Sequence, residues 1–218
     1  MPNWYHSKLT IKNTCSSFEK IKAVFAPDQY KECHPFQSII PPPVDLLMSE
    51  INMLNDSSFQ KLTNLKRKEG IEQEEKKNLI KFGVKDLYDW KIGNWYTKWD
   101  ACDLTVRYDN GEEFQVDFDS AWNPPIPVFE KIIQDNPDLS IFISMYSWES
   151  DGAGWICKVP NMKEWEGEYF KSLCWHESEQ FFQPSLTGGE RFVELASQFK
   201  NPAHFVFKDA PETDKSPF

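Results

Sequence analysis

No stretch of this chain approaches the ~18 consecutive apolar residues of a membrane-crossing helix. The opening "MPNWYHSKLTIKN" has neither the basic segment nor the apolar run of a secretory leader. Both absences set the expectation of a soluble, cytoplasmic protein. No C-x-x-C pair occurs, and the five cysteines, Cys15, Cys33, Cys102, Cys157 and Cys174, are odd in number and widely spaced. That argues against a disulfide framework and fits a reducing compartment. Cys33-His34 and Cys174-Trp175-His176 lack the spacing of a zinc site, so no metal and no cofactor are expected. A P-loop, a G-x-G-x-x-G turn, a nucleophile elbow and a Ser–His–Asp pattern are all missing. The glycine pair of "TGGE" (187–190) stands alone and reads as the lead-in to a helix.

Basic charge is short as well. The net charge is −10. Residues 1–98 hold 15 Lys+Arg and 12 Asp+Glu, which gives +3; residues 99–218 hold 9 and 22, which gives −13. A nucleic-acid binder needs a basic footprint, so direct binding to a phosphate backbone is not expected. An acidic half suits a basic protein partner, or mimicry of nucleic acid, although acidic excess is also ordinary solvated surface.

What the sequence does hold is enough apolar material for a core, 40% hydrophobic residues and 15% aromatic. "SKLTIKN" alternates Leu9 and Ile11 with polar neighbours, as a half-buried strand does. In "TCSSFEKIKAVFA", Ser16 and Glu19 have capping-box spacing, and Phe18, Ile21, Val24 and Phe25 share one helical face ended by Pro27. "FQSIIPPPVDLL" reads as an extended run closed by three prolines. The next segment turns helical: Leu47, Met48, Ile51 and Leu54, then Phe59, Leu62 and Leu65, then "IEQEEKKNLIKF" with a Glu72–Lys76 pair, then "VKDLYDW". Lys66, Arg67, Lys68, Lys76, Lys77 and Lys81 there are interleaved with glutamates, the pattern of a salt-bridged solvent face.

A hairpin follows. "DLTVRY" sets Leu104, Val106 and Tyr108 on one face, Asn110-Gly111 is a strong turn signal, and "FQVDFDS" alternates Phe114, Val116 and Phe118 with Gln115, Asp117 and Asp119. One face would be buried and the other wet and acidic. "AWNPPIPVFEKIIQDNPDL" begins a helix with prolines in its first turn and Val128, Phe129, Ile132 and Ile133 inward. "LSIFISMYSW" reads as a central strand, and "WICKV" pairs back onto it. "MKEWEGEYF" and "KSLCWH" are further strand candidates, and "GGERFVELASQF" a helix with Phe192, Val193, Ala196 and Phe199 inward.

Without the helical segment the order is βαββαβ, an α+β ferredoxin-like arrangement: an antiparallel sheet with helices on one face. Residues 1–43 and 92–160 form this core, 44–91 a helical insertion, and 161–218 a C-terminal extension packed on the core, with a loose tail at 208–218.

Three separated stretches, "MPNW", "NWYTKWDA" and "FDSAWNPPIPVFEKIIQDNPDLSIFISMYSWESDGAGW", together resemble the YubB-like family of phage and plasmid proteins, across about residues 1–160. Tyr5 stands where that family usually has Cys, Tyr96 where it has Gly, and Ser120 where it has Thr. The resemblance implies a ferredoxin-like domain and a mobile genetic element inside a bacterium. The family has no established reaction, so it implies no catalytic residues. By analogy, proteins from such elements often inhibit host defence machinery.

Two groups of residues are candidates for a site. The first is aromatic: Trp4, Trp95, Trp99 and Trp122 sit at strand–helix junctions, with Lys98 and Asp100 among them. They suit a packed corner of the fold first, and an exposed groove for a peptide or base second. The second is acidic: Asp100, Asp103, Asp117, Asp119, Glu149 and Asp151 could converge near one end of the hairpin. Trp95, Lys98, Trp99, Asp100, Asp117, Asp119, Trp122, Glu149 and Asp151 are therefore the expected binding residues. The expected function is non-enzymatic: inhibition of a host nucleic-acid-handling defence complex, anti-CRISPR or anti-restriction in type, through an acidic surface. The alternatives are a small metal-dependent nucleic-acid-processing enzyme built on the acidic cluster, and a self-assembling module joined through an open sheet edge.

Overall fold

A computed structural model describes residues 3–12, 16–26, 33–55, 57, 64–147, 149, 152–171, 175–176, 181–182, 189–200 and 206–207. Strand β1 (Trp4–Lys12) leads into helix α1 (Ser17–Phe25), the five-residue α2 (Pro35–Ile39), and helices α3 (Val44–Asn55), α4 (Asn64–Phe82) and α5 (Leu87–Trp95). Strands β2 (Cys102–Asp109) and β3 (Glu113–Ala121), helix α6 (Ile126–Asp135), and strands β4 (Ser140–Ser147), β5 (Gly152–Lys158) and β6 (Glu166–Lys171) follow. The short strands β7 (Trp175–His176) and β8 (Phe181–Phe182), helix α7 (Gly189–Ala196) and strand β9 (Val206–Phe207) complete the order. The protein is mixed α+β. A six-stranded sheet has the order β2-β3-β1-β4-β5-β6, with every neighbouring pair antiparallel. The three short strands form a separate sheet, β7-β8-β9.

Strand periodicity decides the faces. Leu9, Ile11, Phe114, Val116, Phe118, Ile141, Ile143 and Met145 all point to one side. There they meet Phe18, Ile21 and Phe25 of α1, Phe36 of α2, Trp90 and Trp95 of α5, and Val128, Phe129, Ile132 and Ile133 of α6. Phe118 is a hub of this layer, with ring centroids 5.6 Å from Phe25, 5.8 Å from Phe36 and 6.2 Å from Phe129. Each such ring contributes about 1.5–3 kcal/mol by leaving water.

The helices are not confined to that face. On the opposite side, Phe142 of β4 and Trp155 and Cys157 of β5 pack against Phe192 and Leu195 of α7 and the following Phe199. Trp155 stacks on Phe142 at 6.2 Å and 11°. The expectation of helices on one face is thus corrected: the C-terminal extension covers part of the second. Within α7 the phase also differs, because Val193 is exposed while Leu195 is buried.

Three local expectations change. "PFQSI" is a short helix, not an extended run. Ser16 precedes α1 without a side-chain capping bond. Bulges in β2 lie between Cys102 and Thr105 and between Val106 and Tyr108. The second moves Tyr108 out of line with Leu104 and Val106 and opposite Gln115, on the second face.

Helices α3, α4 and α5 lie between α2 and β2, and α5 runs on to Trp95, past the expected limit of the insertion at residue 91. Ser49 Oγ donates to Glu74 at 2.9 Å, and Lys81 pairs with Asp45, so α3 and α4 are tied together. Glu72 pairs with Lys68, not Lys76, at 4.0 Å. Phe59 and Leu62, the side chains of Ile51, Leu54 and Leu65, and the tail 208–218 lie outside the described residues. Among the described residues no helix is long and apolar enough to cross a membrane.

Candidate binding surface

The segment Trp95–Ala101 alternates between anchors and outward groups. Trp95 is buried, and its indole Nε1 donates to the Ile40 carbonyl at 2.9 Å. Its ring meets Trp90 at 5.7 Å and Phe36 at 6.0 Å, both edge-on. Tyr96 then takes a left-handed conformation, φ +63°, which ends α5 and turns its own side chain outward. Thr97 is buried, and its hydroxyl both donates to the Ala121 carbonyl, 2.8 Å, and accepts from the Ala121 N–H, 3.0 Å. The segment is therefore riveted to the end of β3. Asp100 makes the last anchor, accepting from the backbone N–H groups of Phe36 (2.9 Å), Gln37 (3.0 Å) and Ala101 (2.8 Å). Burial pushes its carboxyl above the usual aspartate range, against the opposing pull of those three N–H groups.

Between the anchors, Lys98 and Trp99 face outward. Trp99 is 38% exposed and Trp122 40%. The Lys98 ammonium lies over both rings, 4.6 Å from the Trp99 centroid and 5.3 Å from that of Trp122. Trp4 packs on Trp99 at 5.8 Å, and Tyr88 meets Trp122 edge-on at 6.1 Å. Trp122 has φ +76°, a backbone state a bulky side chain rarely adopts. Its N–H donates to the Asn3 carbonyl at 2.7 Å, which helps hold the ring there. At the border of the group, the Glu149 carboxylate accepts from the Trp4 N–H at 2.9 Å. Four aromatic groups and a lysine, drawn from four separate stretches of chain, form one partly exposed platform. Surface aromatics of this size and clustering mark contact sites.

Asp100, Asp103 and Asp119 lie near Cys102, whose thiol is pushed up by burial first and then by their charges, but the acidic candidates have separate partners. Asp100 serves the α2 amides. Asp117 pairs with Arg107, and Asp119 with His6, whose Nδ1 is 2.7 Å from Oδ1. Nor is the strip along β3 a wet face, since Glu113, Gln115 and Asp117 are buried. Cross-strand pairing sets Lys12, Thr10, Lys8 and His6 opposite Glu113, Gln115, Asp117 and Asp119. The stretch after α7 lies over one end of this ladder. Lys12 Nζ donates to the Gln198 carbonyl, Gln115 Nε2 to the Lys200 carbonyl, and the Lys200 N–H to Glu113 at 2.9 Å. Burial lowers the pKa of Lys8 in the same strip.

Of the expected residues, Lys98, Trp99 and Trp122 come together, with Glu149 at the margin. Trp95 and Asp100 stand beneath them as supports. Asp117 and Asp119 belong to the polar strip of the second face, and Asp151 lies outside the described residues. Among the described residues no three His, Cys, Asp or Glu side chains gather as a metal site would require. Cys174, one half of the Cys/His pairing weighed above, lies outside them. Tyr88 was not among the expected residues, and no spacing in "VKDLYDW" signals its partnership with Trp122.

No family model matches the chain, and no curated protein does. A solved structure similar to it is that of the protein api92 from Yersinia pseudotuberculosis, a DUF1281 protein. The identity is 11%, the TM-score 0.40, and the similarity covers 77% of this chain and 98% of that one.

Proposed function

We propose that this chain is a binding protein that acts by surface contact, with the platform around Trp99, Lys98 and Trp122 as its contact surface. The observation that carries this is the pair of tryptophans left 38% and 40% exposed, with Trp99 held between the anchored Thr97 and Asp100 and Trp122 next to Ala121, to which Thr97 is bonded. Loose surface aromatics need no such scaffolding, whereas an interface anchor gains from being held in place before the partner arrives. The net charge of −10 favours a partner with a basic surface.

The finer fold assignment, ferredoxin-like, rests on the strand order β2-β3-β1-β4 with α1 after β1 and α6 after β3. The resemblance to phage and plasmid proteins adds the setting: the cytoplasm of a bacterial host and a nucleic-acid-handling defence complex as target. The contact surface proposed differs from an acidic face, because the carboxylates of β3 are engaged within the fold.

The test is affinity capture from a bacterial host that carries defence systems, with the native chain and with Trp99→Ala and Trp122→Ala. A buried aromatic anchor, once truncated, weakens binding about thirtyfold or more. Loss of the same captured partner by both variants, with unchanged circular dichroism, is the expected result. Undiminished capture by both would overturn the assignment of the surface.

A further inference from the structure

We infer that the platform is an aromatic cage for a cationic side chain, and that Lys98 occupies it as an internal stand-in for a lysine of the partner. This rests on the platform being a binding surface and names the chemistry it takes.

The geometry is specific. One ammonium group lies within 4.6 Å and 5.3 Å of two indole centroids. Attraction between a cation and a ring quadrupole acts within about 6 Å and is strongest for tryptophan. Two more aromatics brace the walls, Trp4 against Trp99 and Tyr88 against Trp122. The Glu149 carboxylate joins the same assembly through its bond to the backbone N–H of Trp4. Aromatic walls with an adjacent carboxylate are what ammonium recognition calls for. An apolar peptide side chain would need neither the carboxylate nor a wall built of electron-rich faces.

Lys98 is only partly buried and sits on a flexible four-carbon stem. It can swing into water and leave its place to an ammonium brought by another molecule. While it remains, it competes with that ligand and repels it, so apparent affinity is reduced by the fraction of time the cage is filled. The occupant fits the chain's charge as well: a basic protein approaching a molecule of net charge −10 presents lysines first.

The experiment uses the full chain, tetramethylammonium as the cationic probe and tert-butanol as a neutral probe of similar shape. Binding is followed by tryptophan fluorescence and by NMR shifts of the indole N–H groups. Lys98→Ala is expected to bind tetramethylammonium about fivefold more tightly than the native chain, the removal of one exposed cation–π competitor. It should show no matching gain for tert-butanol. Trp99→Leu in the Lys98→Ala background keeps an apolar side chain and should abolish the gain. Equal response to both probes, or no tightening in folded Lys98→Ala, would overturn the cage. Either result leaves the capture experiment with Trp99→Ala and Trp122→Ala free to succeed, because an apolar platform can still hold a partner.

Discussion

Asp100 reaches back 64 positions to Phe36, whose backbone N–H donates to its Oδ1 at 2.9 Å. With Gln37 bonded to the other oxygen at 3.0 Å, one carboxylate satisfies two of the amides that a helix start leaves without partners. A five-residue helix has little stability of its own. Its place under Trp95 therefore depends on this distant side chain. Asp100→Ala should cost about 2 kcal/mol, the upper range for a lost cap. Urea unfolding measures it. A loss below a few tenths would mean that packing of Phe36 alone holds α2.

The same carboxyl gives a pH signature. Its folded pKa is raised, chiefly by burial. Between the ordinary aspartate range and the raised value, the unfolded chain has released its proton and the folded chain has not. The stability associated with that proton is present below this window and is lost as pH rises through the folded pKa. Asp100→Asn cannot titrate. The stability of the native chain relative to this variant should therefore decline as pH rises through that window. Paired melts at several acidic pH values decide the point, and a gap that grows with pH would reverse the sign.

Trp122 offers a conformational test. At φ +76° any L side chain crowds its own backbone, and glycine does not. Trp122→Ala and Trp122→Gly both remove the indole, so their difference isolates the backbone. The glycine variant should be more stable than the alanine variant by about 1 kcal/mol, contrary to the usual ordering of the two residues. Equal midpoints in denaturant would show that the turn relaxes once the ring is gone.

The β2–β3 hairpin is legible in the sequence because its signal is local. Asn110 Oδ1 accepts from the N–H groups of Glu112 and Glu113 at 2.9 and 2.7 Å, and Gly111 takes φ +82°. Alternation in β3 and the 3.6-residue period of α6 are legible for the same reason. The burial of Asp117 is not, since alternating polar residues look alike whether they face water or cross-strand lysines beneath another segment. Nor is α2 legible, because the group that caps it is encoded in another part of the chain. The aromatic motif shows both sides. "NWYTKWD" announces that these residues matter. Only the hydrogen bonds of Thr97, Asp100 and Trp95 separate the supports from the side chains left facing outward.

Gly167 is a position where close approach excludes a side chain. It lies opposite Ile156 on β6, and a Cβ there would come within 2.6 Å of the Trp155 carbonyl oxygen and 3.2 Å of Ile156 Cγ1. Backbone on the receiving side cannot give way as a side-chain tip can. Gly167→Ala should displace β6 and cost about 1–3 kcal/mol, as overpacking does. Hydrogen exchange would locate the change: faster exchange confined to β5 and β6 is expected, and an unaltered pattern would mean that the two strands sit farther apart.

Phe199 tests whether the C-terminal extension belongs to the fold or merely rests on it. Its ring lies 5.6 Å from Phe142, and the Lys12 ammonium sits 5.2 Å above it. The backbone beside it supplies the carbonyls of Gln198 and Lys200 to Lys12 and Gln115. Removing this ring deletes buried apolar area and loosens polar bonds that depend on where the segment lies. Phe199→Ala should cost about 3 kcal/mol or more. It should also make α7 protease-sensitive before the main sheet unfolds, because the six strands keep their other core beneath α1, α5 and α6. Were the extension only loosely attached, the variant would melt like the native chain and digest at the same rate. The second-face core would then have to be regarded as an accessory of the first and not as part of one cooperative unit.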